Sequence, residues 1–196
     1  MAVTTNFGVP VSGSSAILMP KLQYRFRVTF GKLGKAGANT TVVTQNVINV
    51  GRPSLTHEEV IVDSYNSKMY LAGKHTWEPI TIVLRDDMTS AVILALGNQL
   101  NKQLDHTSQE SASSGEVYKF DMTIETLDGA SGGAEKTIDK WDLNGCYLSN
   151  VQYGDLNYGT SEMVQVTATI RYDNASNEIT GGTPDTLSGD PQTPAP

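Results

Sequence analysis

The chain has 196 residues, a formal net charge of −7 from 21 acidic and 14 basic side chains, one cysteine and three histidines. That length suits one domain with its own core, the acidic balance argues against a DNA-binding face, and Cys146 with the widely spaced His57, His75 and His106 excludes a disulfide framework and argues against a zinc site. No stretch approaches the apolar length of a membrane span and the first residues lack the basic start of a secretory signal, so we expect a soluble chain made in a reducing cytoplasm, with no membrane partner.

Residues 1–20 read as an N-terminal arm closed by Met19-Pro20. LQYRFRVTF then alternates Leu22, Tyr24, Phe26, Val28 and Phe30 with polar residues, the pattern of a half-buried strand. GKLGKAGANT reads as a flexible loop, since its spacing fails the phosphate-loop pattern. TVVTQNVINVG is β-branched but mixed on both faces, and predicts a strand with neither face simply dry or wet. SLTHEEVIV is a further strand, stopping at the turn-rich DSYNSK. MYLAGKHTWEPITIVL follows, two apolar runs around an expected Gly-Lys-His-Thr turn, with Pro79 in the second. Proline donates no ladder hydrogen bond and belongs at an edge, a strand start or a bulge. Pro79 is therefore expected to separate a protruding hairpin from a core strand, ITIVL.

In RDDMTSAVILALGNQLNKQLDH the period changes, with Val92, Leu96, Leu100 and Leu104 recurring every four residues. This predicts the one helix, started by Asp87 or Thr89 and acidic in its first turn. After a polar loop, VYKFDMTIETL resumes strand alternation; WDLNGCYLSNVQYGDLNYG reads as short strands with turns, and SEMVQVTATIRYD as the last strand. Residues 174–196, poor in apolar side chains and rich in Pro, Gly, Ser and Thr, read as a disordered tail. Six to eight strands and one helix predict a mainly β domain over 21–173, a β-sandwich or barrel with one flanking α-helix.

No reactive constellation assembles. Asp86 and Asp87 are placed as a helix start favours. Glu58 and Glu59 point to opposite faces of a strand and form no carboxylate pair. His57 and His75 show no orienting partner and read as surface histidines. Cys146 reads as a small buried residue. The sequons at Asn39 and Asn174 carry no weight without a secretory route. We assign no catalytic, cofactor-binding or metal residue, and expect no enzyme.

Two segments resemble a known family. MYLAGKHTWEPITIVLRDDMTSAVILALGNQL is similar to the signature of tail tube proteins of contractile-tailed bacteriophages: a hydrophobe, Ala-Gly, a basic residue, Thr and an aromatic, then an alternating strand, an acidic pair and a helix. GCYLSNVQYGDLNYGTSEMVQVTATIRYD resembles the family's closing pattern, a Gly-aromatic start, an Asn-Val turn and a last alternating strand. The resemblance covers roughly residues 20 to 173; Pro79, the long arm and the Pro-rich tail depart from it. It implies a virion subunit, assembled in the host cytoplasm. Hexameric rings, whose strands join one continuous inner barrel, would stack into a hollow tube inside a sheath. The implied partners are other copies of the chain, the sheath protein, the tape-measure protein, and baseplate and tail-terminator proteins. DNA would pass through the lumen without specific binding. Six copies at −7 each make a formal −42 per ring, which disfavours adhesion of DNA.

The residues expected at the interface between subunits are Tyr65, Asn66, Met69, Tyr70, Leu71 and Gly73, and those expected to line the lumen are Gln45, Asn49, Thr167 and Thr169. Two other readings compete. A β-sandwich binding module, such as a capsid decoration or carbohydrate-recognition domain, would need clustered exposed aromatics, whereas Trp77 and Trp141 sit in packing contexts. A secretion-system tube protein of the same fold is hardly separable by sequence.

Overall fold

The computed structural model describes residues 20–34, 40–128 and 136–179, and the expected N-terminal arm and most of the expected tail lie outside them. In chain order the elements are β1 (Phe26–Gly31), α1 (Thr41–Gln45), β2 (Val47–Val50), β3 (Leu55–Ser64), β4 (Ser67–Trp77), β5 (Ile80–Arg85), α2 (Ala91–Gln103), α3 (Gly115–Tyr118), β6 (Phe120–Leu127), β7 (Thr137–Gln152), β8 (Gln165–Arg171) and β9 (Asn174–Ile179). Seven strands form one antiparallel sheet in the order β1-β6-β7-β8-β5-β2, with β9 also on β7, while β3 and β4 pair only with each other. The fold is mainly β, a sandwich with helix α2 packed on it, as the alternation predicts.

Strand β7 joins the two halves. One of its edges pairs with β6; along the other it pairs first with β9, over Asp139–Asn144, and then with β8, over Tyr147–Gln152. It is one 16-residue strand rather than pieces broken by turns. Gly145 makes this possible at a φ of 69°, because a Cβ there would run into the Asp173 carboxylate. The alternating positions fill the core: Val28 and Phe30 from β1, Ile82 and Leu84 from β5, Phe120, Met122 and Ile124 from β6, Leu143 and Leu148 from β7, and Val166, Ala168 and Ile170 from β8. Each large apolar side chain so buried contributes about 1.5–3 kcal/mol. Cys146 lies in the same core, where burial pushes its thiol up to about 12.

Four expectations are corrected. TVVTQNVINVG is not one strand: Thr41–Gln45 turn into α1, because Val43 packs into the core and the Asn46 amide and side chain close the turn onto the Val43 and Val42 carbonyls. Tertiary burial outweighs the β-branched preference there. The first strand starts at Phe26, so Leu22 and Tyr24 are not in its alternation and Tyr24 is exposed. Residues 174–179 are not tail: they form β9, which satisfies the free edge of β7 and buries Ala175. Two short helices, α1 and α3, accompany the expected one.

Helix α2 buries Val92 and Leu96 but stops at Gln103, leaving Leu104 extended and bridged to Ser111. Its first turn carries no acid. Asp87 acts from outside the helix, accepting hydrogen bonds from the Ala91 amide and from the amide and hydroxyl of Thr89; these bonds, the Thr89 hydroxyl first, hold its carboxyl below the usual range. Two glutamines fasten the helix, Gln99 to the loop after β1 and to α3, and Gln103 to β7. Gln99, fully buried, accepts from the Gly34 amide at 3.0 Å and donates to the Tyr118 carbonyl. Gln103 trades two 3.0 Å bonds with the Leu148 amide and carbonyl, acting as a surrogate strand. Gln99→Leu preserves bulk but strands both backbone partners, so urea unfolding is expected to show a loss of about 2–4 kcal/mol.

Candidate assembly surface

The hairpin β3–β4 is the feature the core does not need. Its strands have 10 and 11 residues, and apart from Gly73 and Trp77, which are half-buried, every residue in them is exposed. The register pairs Val60 with Leu71, Ile61 with Tyr70 and Val62 with Met69. Because side chains alternate along a strand, Ile61 and Tyr70 lie on one face with Leu55, whereas Val60, Val62, Met69 and Leu71 lie on the other. An isolated two-stranded hairpin is marginal in water even with one apolar face. This one has two.

The expected Gly-Lys-His-Thr turn does not exist. Gly73–Thr76 run inside β4, where the register shift across Gly73-Lys74 marks a bulge opposite Glu58. A Cβ on Gly73 would lie 3.0 Å from the Glu58 carbonyl oxygen, so glycine lets the strands close over the bulge. The actual turn is Tyr65-Asn66, at the tip. Tyr65 is fully exposed with a φ of 51°, a left-handed conformation that costs a bulky residue roughly 1–2 kcal/mol. Beside it the exposed Asp63 and Lys68 approach to 3.8 Å, worth about 0–1 kcal/mol.

The base of the hairpin, by contrast, is anchored. Pro79 sits between the end of β4 and the start of β5, as the sequence leads one to expect. Next to it the Glu78 amide donates to the Ser54 carbonyl at 2.9 Å, and the Gly51 amide to that of Thr81 at 2.8 Å. Trp77 packs its ring 5.8 Å from that of Tyr172, at the end of β8. Arg52 reaches the Thr126 hydroxyl at 3.0 Å and the Asp139 carboxylate at 3.5 Å, and Asp139 is further held by Asn177 of β9.

The six expected interface residues are thus gathered in one hairpin but not on one patch. Tyr65 and Asn66 form its tip, Tyr70 faces one side, Met69 and Leu71 the other, and Gly73 lies in the bulge. Sequence reasoning missed Val60, Ile61 and Val62, whose exposure follows from the register. It also missed a second set of exposed apolar residues: Leu156, Tyr158, Met163 and Val164 in the loop before β8, and Met88 before α2. The Asp86 amide ties the two loops by donating to the Val164 carbonyl at 3.0 Å. These loops adjoin the Arg85↔Gln165 end of the β5–β8 pair, whereas the hairpin leaves from the Ile80↔Ile170 end. Segments carrying exposed apolar residues are therefore attached at opposite ends of the same strands.

Three of the four expected lumen residues share a surface. Asn49, Val83, Thr167 and Gln152 form one row across β2, β5, β8 and β7, and Thr81, Thr169 and Asn150 the next, all on the face away from the core. Neither row contains a charged residue. Gln45 does not belong to it, because its segment is the helix α1 rather than a strand.

No protein-family model matches the chain, and no curated protein matches its sequence. Solved structures do match in fold. A chain from the anti-feeding prophage baseplate is 16% identical, with 84% of this chain and 99% of the other covered at a TM-score of 0.62. A chain from the cap that terminates the tube of the same prophage is 14% identical, with 91% and 99% covered at 0.64. A chain from the sheath–tube complex of the extracellular contractile injection system PVC, in its extended state, is 13% identical, with 82% and 92% covered at 0.56. The chain thus has a fold found in contractile injection particles. The tip makes a prediction of its own: Tyr65→Asn, which tolerates the left-handed backbone, should leave thermal stability unchanged or raise it by up to about 1 kcal/mol.

Proposed function

We propose that this chain is a structural subunit of a tail-like tube, in which copies close into rings and the rings stack. The observation that carries the reading is the hairpin, anchored at its base, apolar on both faces and exposed along its whole length. A head-to-tail assembly needs two different surfaces at opposite ends of the subunit. The hairpin and the loop residues Leu156, Tyr158 and Met163 meet that requirement. A repeated contact between them extends a stack without limit, so length has to be set by another component. The shared fold with baseplate, tube-cap and sheath–tube chains supports the same reading.

In this reading the uncharged rows of β2, β5, β8 and β7 line the channel. Four strands per subunit joining edge to edge would cover the free edge of β2 and the stretch of β7 beyond Cys146, where β6 no longer pairs. The six-membered ring, the sheath, tape-measure, baseplate and terminator partners, and passage of DNA in a virion are the finer parts of the proposal. The two rows themselves carry no charge, but Arg85 and Arg171 flank them on the same face, so the fixed charges at the two ends of this wall would be cationic.

Negative-stain microscopy of the purified chain tests the central part, with rings or hollow tubes expected. Tyr70→Asp and Leu71→Asp, which probe opposite faces of the hairpin, should each abolish stacking while leaving circular dichroism and melting within about 0.5 kcal/mol of the parent. Loss of folding in either would mean that the hairpin packs on its own core. Thr167→Lys with Thr169→Lys is expected to slow DNA delivery by assembled particles, and undiminished infectivity would count against a channel-lining role.

A further inference from the structure

The hairpin register also brings together two histidines. His57 and His75, far apart in sequence, are directly opposed across β3 and β4, with ring centroids 6.1 Å apart. Both are exposed. Alternation places Glu59 on the same face, two residues beyond His57, and its cross-strand partner is the small Ala72, which leaves the carboxylate uncovered. Trp77, two residues beyond His75, meets the His75 ring edge-on with centroids 6.2 Å apart. Glu58 belongs to the opposite face, where its Cβ lies against the bulge at Gly73.

We propose that His57 and His75 bind a divalent ion of the zinc, nickel and copper class, with Glu59 as an oxygen donor and water completing the coordination. Two neutral imidazoles suit these borderline ions, whereas calcium and magnesium want oxygen cages. A residue, its i+2 neighbour and the residue directly opposite form a compact triangle on an antiparallel pair, with opposed Cβ atoms about 4.5–5.5 Å apart. Metal–nitrogen bonds of about 2.0–2.1 Å span that gap once the two rings turn toward each other. Among the described residues no three such side chains are already gathered, so the site forms by rotation of exposed rings. A chelate across the two strands ties together the base of a ribbon that lacks a core, and it favours the paired hairpin by mass action. The signal is invisible to motif spacing, because the ligand pair is created by the register alone. The proposal stands whether or not the hairpin meets a second copy.

The test is titration of the untagged full-length chain with NiCl2 or CuCl2 alone, read by quenching of Trp77 in a Trp141→Phe background, and with ZnCl2 alone by calorimetry on the unsubstituted chain. Saturable quenching and about one zinc equivalent per chain are expected from a single chelate. His57→Gln and His75→Gln should each weaken binding at least tenfold or so, since a chelate becomes a single ligand; Glu59→Gln should weaken it less, and His106→Gln not at all. No saturation below roughly millimolar metal, or equal affinity in the two histidine variants and the parent, would overturn the proposal. Circular dichroism of each variant separates loss of the ligand from loss of the fold.

Discussion

A two-stranded ribbon has two faces and no interior, and everything distinctive in this molecule follows from carrying apolar side chains on both. Val60, Val62, Met69 and Leu71 on one side and Ile61 and Tyr70 on the other stay in water. At about 25 cal/mol per Å² of apolar surface, covering either face is worth several kcal/mol. The subunit core offers no cover, because the hairpin touches it only at its root. Hydrophobic surface left in water in this way is the ground for the proposal that the hairpin meets another molecule.

The rest of the fold holds that ribbon rigidly at one end. The backbone bonds at Ser54 and Thr81, the Trp77–Tyr172 contact and the Arg52–Asp139–Asn177 chain fasten the root to β5 through β9, so its direction is fixed by the sheet. Helix α2, locked by Gln99 and Gln103, stiffens the same sheet from its core side. The apolar loops around Met88 and Tyr158 then lie at the far end of β5 and β8. In the proposed reading, the apolar projection at one end and the exposed apolar residues at the other are what allow copies to repeat. The fold is one also found in contractile injection particles, while the residues proposed to carry assembly here are read from this chain alone.

How much of this was legible beforehand differs by element. Strict alternation made β5, β6 and β8 readable, since a residue facing the core every second position leaves no other period. Pro79 correctly separated the hairpin from the core strand, because a missing amide donor is a local fact. The stretch from Thr41 to Val50 was misread, for its conformation is set by where Val43 can be buried rather than by its β-branched residues. The hairpin turn was misplaced onto Gly73, since a glycine serving a bulge looks the same in sequence as one serving a turn. The true turn at Tyr65-Asn66 does fall in DSYNSK, read as turn-rich, although Tyr65 itself, an aromatic at positive φ, is the opposite of what turn chemistry favours. The pairing of His57 with His75 and the split of the interface residues over two faces were hidden for one reason. Both depend on register, and register depends on the bulge.

The most direct test compares amide hydrogen exchange over residues 55–77 in the dilute chain and in assembled particles. If the hairpin is buried between subunits, its amides exchange freely when dilute and are strongly protected on assembly, while those of β5 and β6 are slow in both states. Hairpin amides that exchange equally fast in the assembled particle would contradict the account.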